Sequence, residues 1–140
     1  MSGLPTREYV HPITVEFEDV DSFRIVHHAK FVLFLERARL HLFAERGVDL
    51  EPGPVHPVLY RLEVEYKKPA RLLDRLAVSV GIDSVDEYRL VLGYRVRKGA
   101  ELIAKARTTL AFIDAATQDL VPVPPEFVER LRGGRPRKRR

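Results

Sequence analysis

One segment decides most of what this 140-residue chain can fold into. Between Ala29 and Arg46, Phe31, Phe34, Leu35, Ala38 and Leu42 recur at helical spacing, with neither Gly nor Pro in the run. Val32, Leu33, Leu40 and Phe43 widen that stripe over much of the circumference, and Gly47 follows where a helix-ending glycine belongs. A helix this apolar is expected to be wrapped by a sheet rather than to lie on one flank.

The remainder of the chain supplies the sheet. From Glu8 to Glu18 the text is extended, with Ile13, Val15 and Phe17 alternating with Thr14 and Glu16, and Pro12 places this strand at an edge or a bend. Asp19-Val-Asp-Ser22 breaks the run with residues that favour loops. After a proline-rich loop over 48–57, period-two patterns return at His56–Tyr66, Leu76–Ile82, Tyr88–Val96 and Leu102–Ile113. Lys98-Gly99 reads as a hairpin turn, Asp114–Asp119 as another turn, and Pro125–Arg132 as a short helix with proline in its first turn. Strand, long helix and four more strands lack the alternation of a parallel α/β sheet, so the expected class is α+β with an antiparallel sheet. One face of such a sheet needs further cover, which suggests a homodimer.

Composition removes whole classes of function. The chain has no cysteine, which excludes disulfides, zinc–thiolate sites, iron–sulfur clusters and a cysteine nucleophile. No apolar run reaches membrane-spanning length, and residues 1–15 lack the apolar stretch of a secretory signal, so a cytoplasmic protein is expected. The net charge of +4 would suggest a nucleic-acid partner. Residues 133–140, however, hold five of the 24 basic side chains and none of the 20 acidic ones, which leaves 19 against 20 in residues 1–132. A near-neutral domain over 1–132 with a basic, disordered tail over 133–140 is expected, and no nucleic-acid surface.

No nucleophile elbow, phosphate loop or dinucleotide fingerprint is present. His27 and His28 lack the spacing for a shared metal ion, so no metal site is expected. What remains is Asp19-Val-Asp21-Ser-Phe-Arg-Ile-Val-His27-His28, which runs into the long helix. A helix start offers unpaired N–H groups for an oxyanion, and a carboxylate beside it can act as nucleophile or base. From spacing alone, the favoured reading is that Asp21 caps a turn and that the histidines are ordinary surface or core residues. Glu36 on the helix is a second carboxylate, read more simply as a partner of Arg39 or as part of a solvated face.

Val15-Glu-Phe-Glu-Asp-Val-Asp21, Ile25-Val-His-His28-Ala-Lys-Phe31 and Phe34-Leu-Glu-Arg-Ala-Arg39 resemble the signature of hotdog-fold acyl-CoA thioesterases of the 4-hydroxybenzoyl-CoA thioesterase-like group. Tyr66-Lys-Lys-Pro-Ala70 and Val121-Pro-Val-Pro124 extend the resemblance over roughly residues 10–132. It implies a five-stranded antiparallel sheet curled around the long helix, paired into a homodimer and further into a tetramer, with active sites at the interface. It also implies hydrolysis of an acyl-CoA without a cofactor, with Asp21 as the catalytic carboxylate and the His28 backbone N–H polarising the thioester carbonyl. A carrier-protein or polyketide-releasing thioesterase and a non-catalytic acyl-binding protein are the alternatives. Arg24, Val26, His27, Phe31, Tyr60, Lys67 and Arg89 are the expected substrate contacts, with Tyr60 and His56 reaching the pocket from a second subunit or, more simply, serving as dimer or core contacts. Three positions depart from the family pattern: Arg24 stands for its usual Gly, His27 for an aromatic, and Lys30-Phe31 for Asn-Tyr.

Overall fold

The computed structural model describes residues 8–49, 51 and 53–133, so the expected basic tail lies almost wholly outside the described residues. Nine elements follow one another. They are β1 (Tyr9–Thr14), a 3₁₀ turn (Phe17–Asp19), α1 (His28–Glu45), β2 (Val55–Tyr66), β3 (Arg75–Val85), β4 (Leu90–Lys98), β5 (Glu101–Asp114), β6 (Leu120–Val121) and α2 (Pro125–Leu131). All strand pairs are antiparallel, in the order β1-β3-β4-β5-β2. The two-residue β6 pairs with β5 where β4 has ended, which adds a sixth, minor strand to the expected five. Among the described residues no helix is long and apolar enough to cross a membrane.

Alternation along the strands builds the concave face. Leu76, Val78 and Val80 of β3, Leu90, Leu92, Tyr94 and Val96 of β4, and Ala104, Leu110 and Phe112 of β5 are all buried. Phe31, Phe34, Leu35, Ala38 and Leu42 of α1 fill the hollow opposite them. Truncating a fully buried ring such as Phe34 to alanine typically costs about 3–5 kcal/mol, so this contact fixes the helix on the sheet. Tyr94 brings a hydroxyl into the same core, where it bonds Thr108 Oγ1 at 2.8 Å and accepts from Arg39 at 3.2 Å. That contact draws Arg39 away from Glu36. No Glu36–Arg39 ion pair forms among the described residues, and Glu36 is exposed, which is the solvated-face alternative of the sequence reading.

The sheet does not cover all of the apolar helix surface. Leu33 and Leu40 remain 41% and 48% exposed, because one sheet meets one stripe of a helix. β2 is the other open surface. It is the last strand of the sheet, its outer edge has no partner among the described residues, and Leu59 and Tyr60 are exposed on it. A register shift between Leu59 and Arg61 inserts Tyr60 as an extra residue and bends the strand. At the opposite edge, β1 carries Pro12 where its missing N–H disturbs no inner ladder. Gly47 and Gly99 close α1 and the β4–β5 hairpin with φ of 75° and 61°.

Between β1 and α1, His11 stacks on His41 with ring centroids 4.3 Å apart. Burial, then the nearby His41 and Arg37, hold the His11 imidazole below its ordinary value near 6.5. A base with a lowered folded-state pKa binds protons more readily when unfolded, so stability is lost as pH falls below about 6.5. Thermal unfolding followed between pH 7.5 and pH 5.5 should show a falling Tm. His11→Phe, which keeps an aromatic ring against His41, should flatten part of that slope; an unchanged slope would remove His11 as its source.

Candidate active site

The loop between β1 and α1 is a small closed hairpin. Val20 and Val26 form an antiparallel bridge, His27 N–H donates to Asp19 O, and Asp21 N–H donates to Ile25 O. Ile25 bridges Arg71, and Val26 N–H donates to Ala70 O, so the loop rests on the segment leading into β3. Its tip is Ser22-Phe23-Arg24, closed by Arg24 N–H donating to Asp21 O at 2.9 Å. Three-residue hairpin loops put their last residue in the left-handed region, and Arg24 has φ 67°. This is why glycine suits the position in the family that the sequence resembles.

The two aspartates of Asp19-Val-Asp21 separate by role. Asp19 is 3% exposed, accepts from Glu16 N–H at 2.8 Å through Oδ2, and meets Lys30 Nζ at 3.7 Å through Oδ1. It is the fixed post of the 3₁₀ turn, and Lys30, one of the family departures, is its counter-ion. Asp21 is only partly buried. Its Oδ1 accepts from Phe23 N–H at 2.8 Å, and no partner meets Oδ2 among the described residues. One oxygen is thus held by the loop, and the other has no partner among the described residues.

At the base of the same hairpin α1 begins. His27 is the N-cap, and its Nδ1 accepts from Ala29 N–H at 3.1 Å. Lys30 N–H donates to His27 O at 2.8 Å. The His28 N–H has no partner among the described residues. It shares a peptide group with the His27 carbonyl, whose hydrogen bond polarises it, and it stands at the positive end of an 18-residue helix. Counted at strand rise along the hairpin, the Asp21 and His28 backbones lie on the order of 10 Å apart.

The other expected site residues fall in five different places. The His27 ring stacks on His28 at 4.3 Å and is exposed, although its Nδ1 is committed to the helix. Val26 and Phe31 are 5% and 3% exposed, so in the single chain both are core side chains rather than open substrate contacts. Lys67 pairs with Glu65 at 3.1 Å. Tyr60 and Arg89 do come together, with the guanidinium 5.3 Å from the ring centre, but six residues of β2 separate Tyr60 from Tyr66. That is about 20 Å of strand, so this pair stands apart from Asp21 within one chain. His56 lines a cavity of about 740 Å³ with Phe43, Val48 and Phe127, at the far end of α1. Among the described residues no cluster of His, Asp and Glu could hold a metal ion.

Sequence reasoning missed Tyr66. Its hydroxyl donates to His28 O at 2.9 Å, and its ring meets Phe31 edge-on at 5.5 Å. Nothing in an alternating strand marks one tyrosine as different; only its place at the strand end, before Lys67-Lys68-Pro69, sets it apart.

A family profile described as the thioesterase-like superfamily matches residues 15–131, which takes in Asp21, the start of α1 and all of the sheet except β1. The chain belongs to the thioesterase-like superfamily. The acyl-CoA thioester hydrolase YbgC of Escherichia coli is 37% identical over 90 residues, 61% of this chain. The chain spans 66% of the length of that relative. The acyl-CoA thioesterase YbgC of Haemophilus influenzae is 28% identical over 120 residues, 82% of this chain and 88% of that protein. A 1,4-dihydroxy-2-naphthoyl-CoA thioesterase from Synechocystis has the same fold, with a TM-score of 0.82 at 20% identity over 89% of this chain and 96% of that one. The architecture of this superfamily member is therefore the hotdog fold, as the sequence resemblance implies.

The left-handed Arg24 yields a direct test. A non-glycine residue in that region costs about 1–2 kcal/mol, and glycine returns about 0.5–1 kcal/mol of that through its unfolded-state freedom. Arg24 is exposed and has no ion pair among the described residues to lose. Urea unfolding of Arg24→Gly should show a gain of about 0.5–1 kcal/mol, whereas a net loss would mean that the arginine side chain holds the loop.

Proposed function

We propose that this protein hydrolyses the thioester of an acyl-CoA to a free acid and the CoA thiol. The reading is supported most directly by two groups on one hairpin, Asp21 Oδ2 and the His28 N–H, neither of which has a partner among the described residues. The thioester carbonyl oxygen accepts from His28 N–H, which draws charge toward that oxygen. Asp21 Oδ2 takes a proton from water as the water oxygen bonds to the carbonyl carbon, giving a tetrahedral oxyanion on the amide. Collapse breaks the carbon–sulfur bond, and the proton passes from Asp21 to the leaving thiolate. Direct attack by Asp21 on the carbonyl uses the same two groups and differs in forming an anhydride that water then opens. A carboxylate and a backbone dipole suffice for either route, so the proposal includes no cofactor.

The functional unit in this reading is a homodimer. The free edge of β2, with Leu59 and Tyr60 exposed, and the uncovered Leu33 and Leu40 of α1 form the surface a second copy would close. An edge strand of 12 residues is long enough to pair with its own copy. Such pairing would supply a wall for the Asp21–His28 site, which is open in one chain.

The decisive assay measures thiol release from short, long and aromatic acyl-CoAs, beside matched carrier-protein thioesters. Wild type is expected to turn over acyl-CoA. Asp21→Asn keeps the Oδ1 contact to Phe23 N–H and removes the base, so kcat should fall at least about a hundredfold, the scale of general-base loss. Full activity in Asp21→Asn would remove the assignment of that residue, and silence of wild type on every thioester would remove the enzyme. Sedimentation velocity on the same preparation should give a dimer or a multiple of it; a monomer would contradict the second copy.

A further inference from the structure

The start of α1 presents one free amide where an uncapped helix would present several. His27 Nδ1 takes the Ala29 N–H, His27 O takes the Lys30 N–H, and the His28 N–H alone is left. From outside the helix, Tyr66 adds a contact to the same turn. Its hydroxyl donates to His28 O at 2.9 Å, and that oxygen is already the acceptor position for the next helical turn. The ring is clamped edge-on to Phe31 at 5.5 Å, and Phe31 in turn meets Phe34 edge-on at 5.7 Å in the core. Tyr66 is also the last residue of β2, held opposite Ala104 of β5. A chain of fixed contacts therefore runs from the sheet through one hydroxyl to the peptide group that follows the free amide.

We propose that Tyr66 is a positioning residue: its hydroxyl orients the first turn of α1 so that the His28 amide alone faces the reacting carbonyl. This rests on the thioesterase reading of Asp21 and His28 and extends it to a residue on another element. Burial raises the Tyr66 pKa above its ordinary value of 10.0, so the phenol keeps its proton and remains a donor at neutral and mildly alkaline pH. Tyr66 does not touch the substrate in this role. It acts by limiting the tilt of the His28 peptide planes, and oxyanion stabilisation is sensitive to donor direction.

Tyr66→Phe tests the proposal, because it deletes the hydroxyl and keeps the ring against Phe31. The expected result is a fall in kcat of about fivefold to tenfold, with KM changed less than about twofold and the variant fully folded at the assay temperature. Amide NMR gives a readout independent of turnover. The Ala29 amide belongs to the peptide whose carbonyl loses its donor, so Ala29 and His28 resonances should shift while those of β3 and β4 stay in place. Wild-type kcat in Tyr66→Phe would overturn the proposal, as would unmoved Ala29 and His28 resonances. A loss of kcat that disappears when the assay is run well below the variant's Tm would also overturn it, since that is stability alone. Asp21→Asn separates the two levels. If that variant stays active, the thioesterase assignment fails whatever Tyr66 does; if it is inactive and Tyr66→Phe is normal, only the positioning role fails.

Discussion

The seat of α1 in the concave sheet governs the rest of this structure. Phe31, Phe34, Leu35, Ala38 and Leu42 enter a hollow lined by Val78, Val80, Leu92 and Val96, and all nine side chains are buried. With the helix axis fixed by that contact, its first residue can only fall beside the hairpin that carries Asp21. In the proposed mechanism the chemistry is then a matter of what happens in one helical turn. A helix start has surplus N–H groups, and this one disposes of two of them internally while leaving the third exposed to a ligand. Burial energy far from the reacting atoms thus sets the position of a single amide.

Polar contacts around the hairpin divide the work between holding and reacting. Asp19, buried and doubly engaged, ties the 3₁₀ turn to Lys30 on α1. Asp21 commits one oxygen to its own loop and leaves the other free. The left-handed Arg24 closes the loop at some cost in backbone energy, since an L-residue is strained where glycine would not be. The loop tolerates that strain because bridges at Val20–Val26 and Ile25–Arg71 hold it on both sides.

The fold was largely legible in the sequence because periodicity reports burial. The five strands and the helix lie within a few residues of their expected bounds, and Pro12 correctly announced an edge. Local polar chemistry was harder to read. The expected strand through Glu18 stops at Thr14 because Asp19 caps a 3₁₀ turn, and the Tyr60 bulge breaks an alternation that looked continuous. The apolar breadth of α1 suggested complete wrapping, yet Leu33 and Leu40 stay uncovered in one chain. Spacing could not say which aspartate is the post and which is free, nor that Val26 and Phe31 turn into the core. Tyr66 was invisible for a related reason: its hydroxyl acts across 38 residues of sequence, beyond any periodic pattern.

The central claim is that the His28 amide and the open oxygen of Asp21 face one carbonyl group. A crystal structure of the protein with an acyl-CoA ketone analogue, in which methylene replaces the thioester sulfur, tests it most directly. The account predicts the analogue's carbonyl oxygen at about 2.7–3.2 Å from His28 N, with Asp21 Oδ2 directed at the carbonyl carbon. A carbonyl bound elsewhere on the protein, with the His28 amide unused, would contradict it.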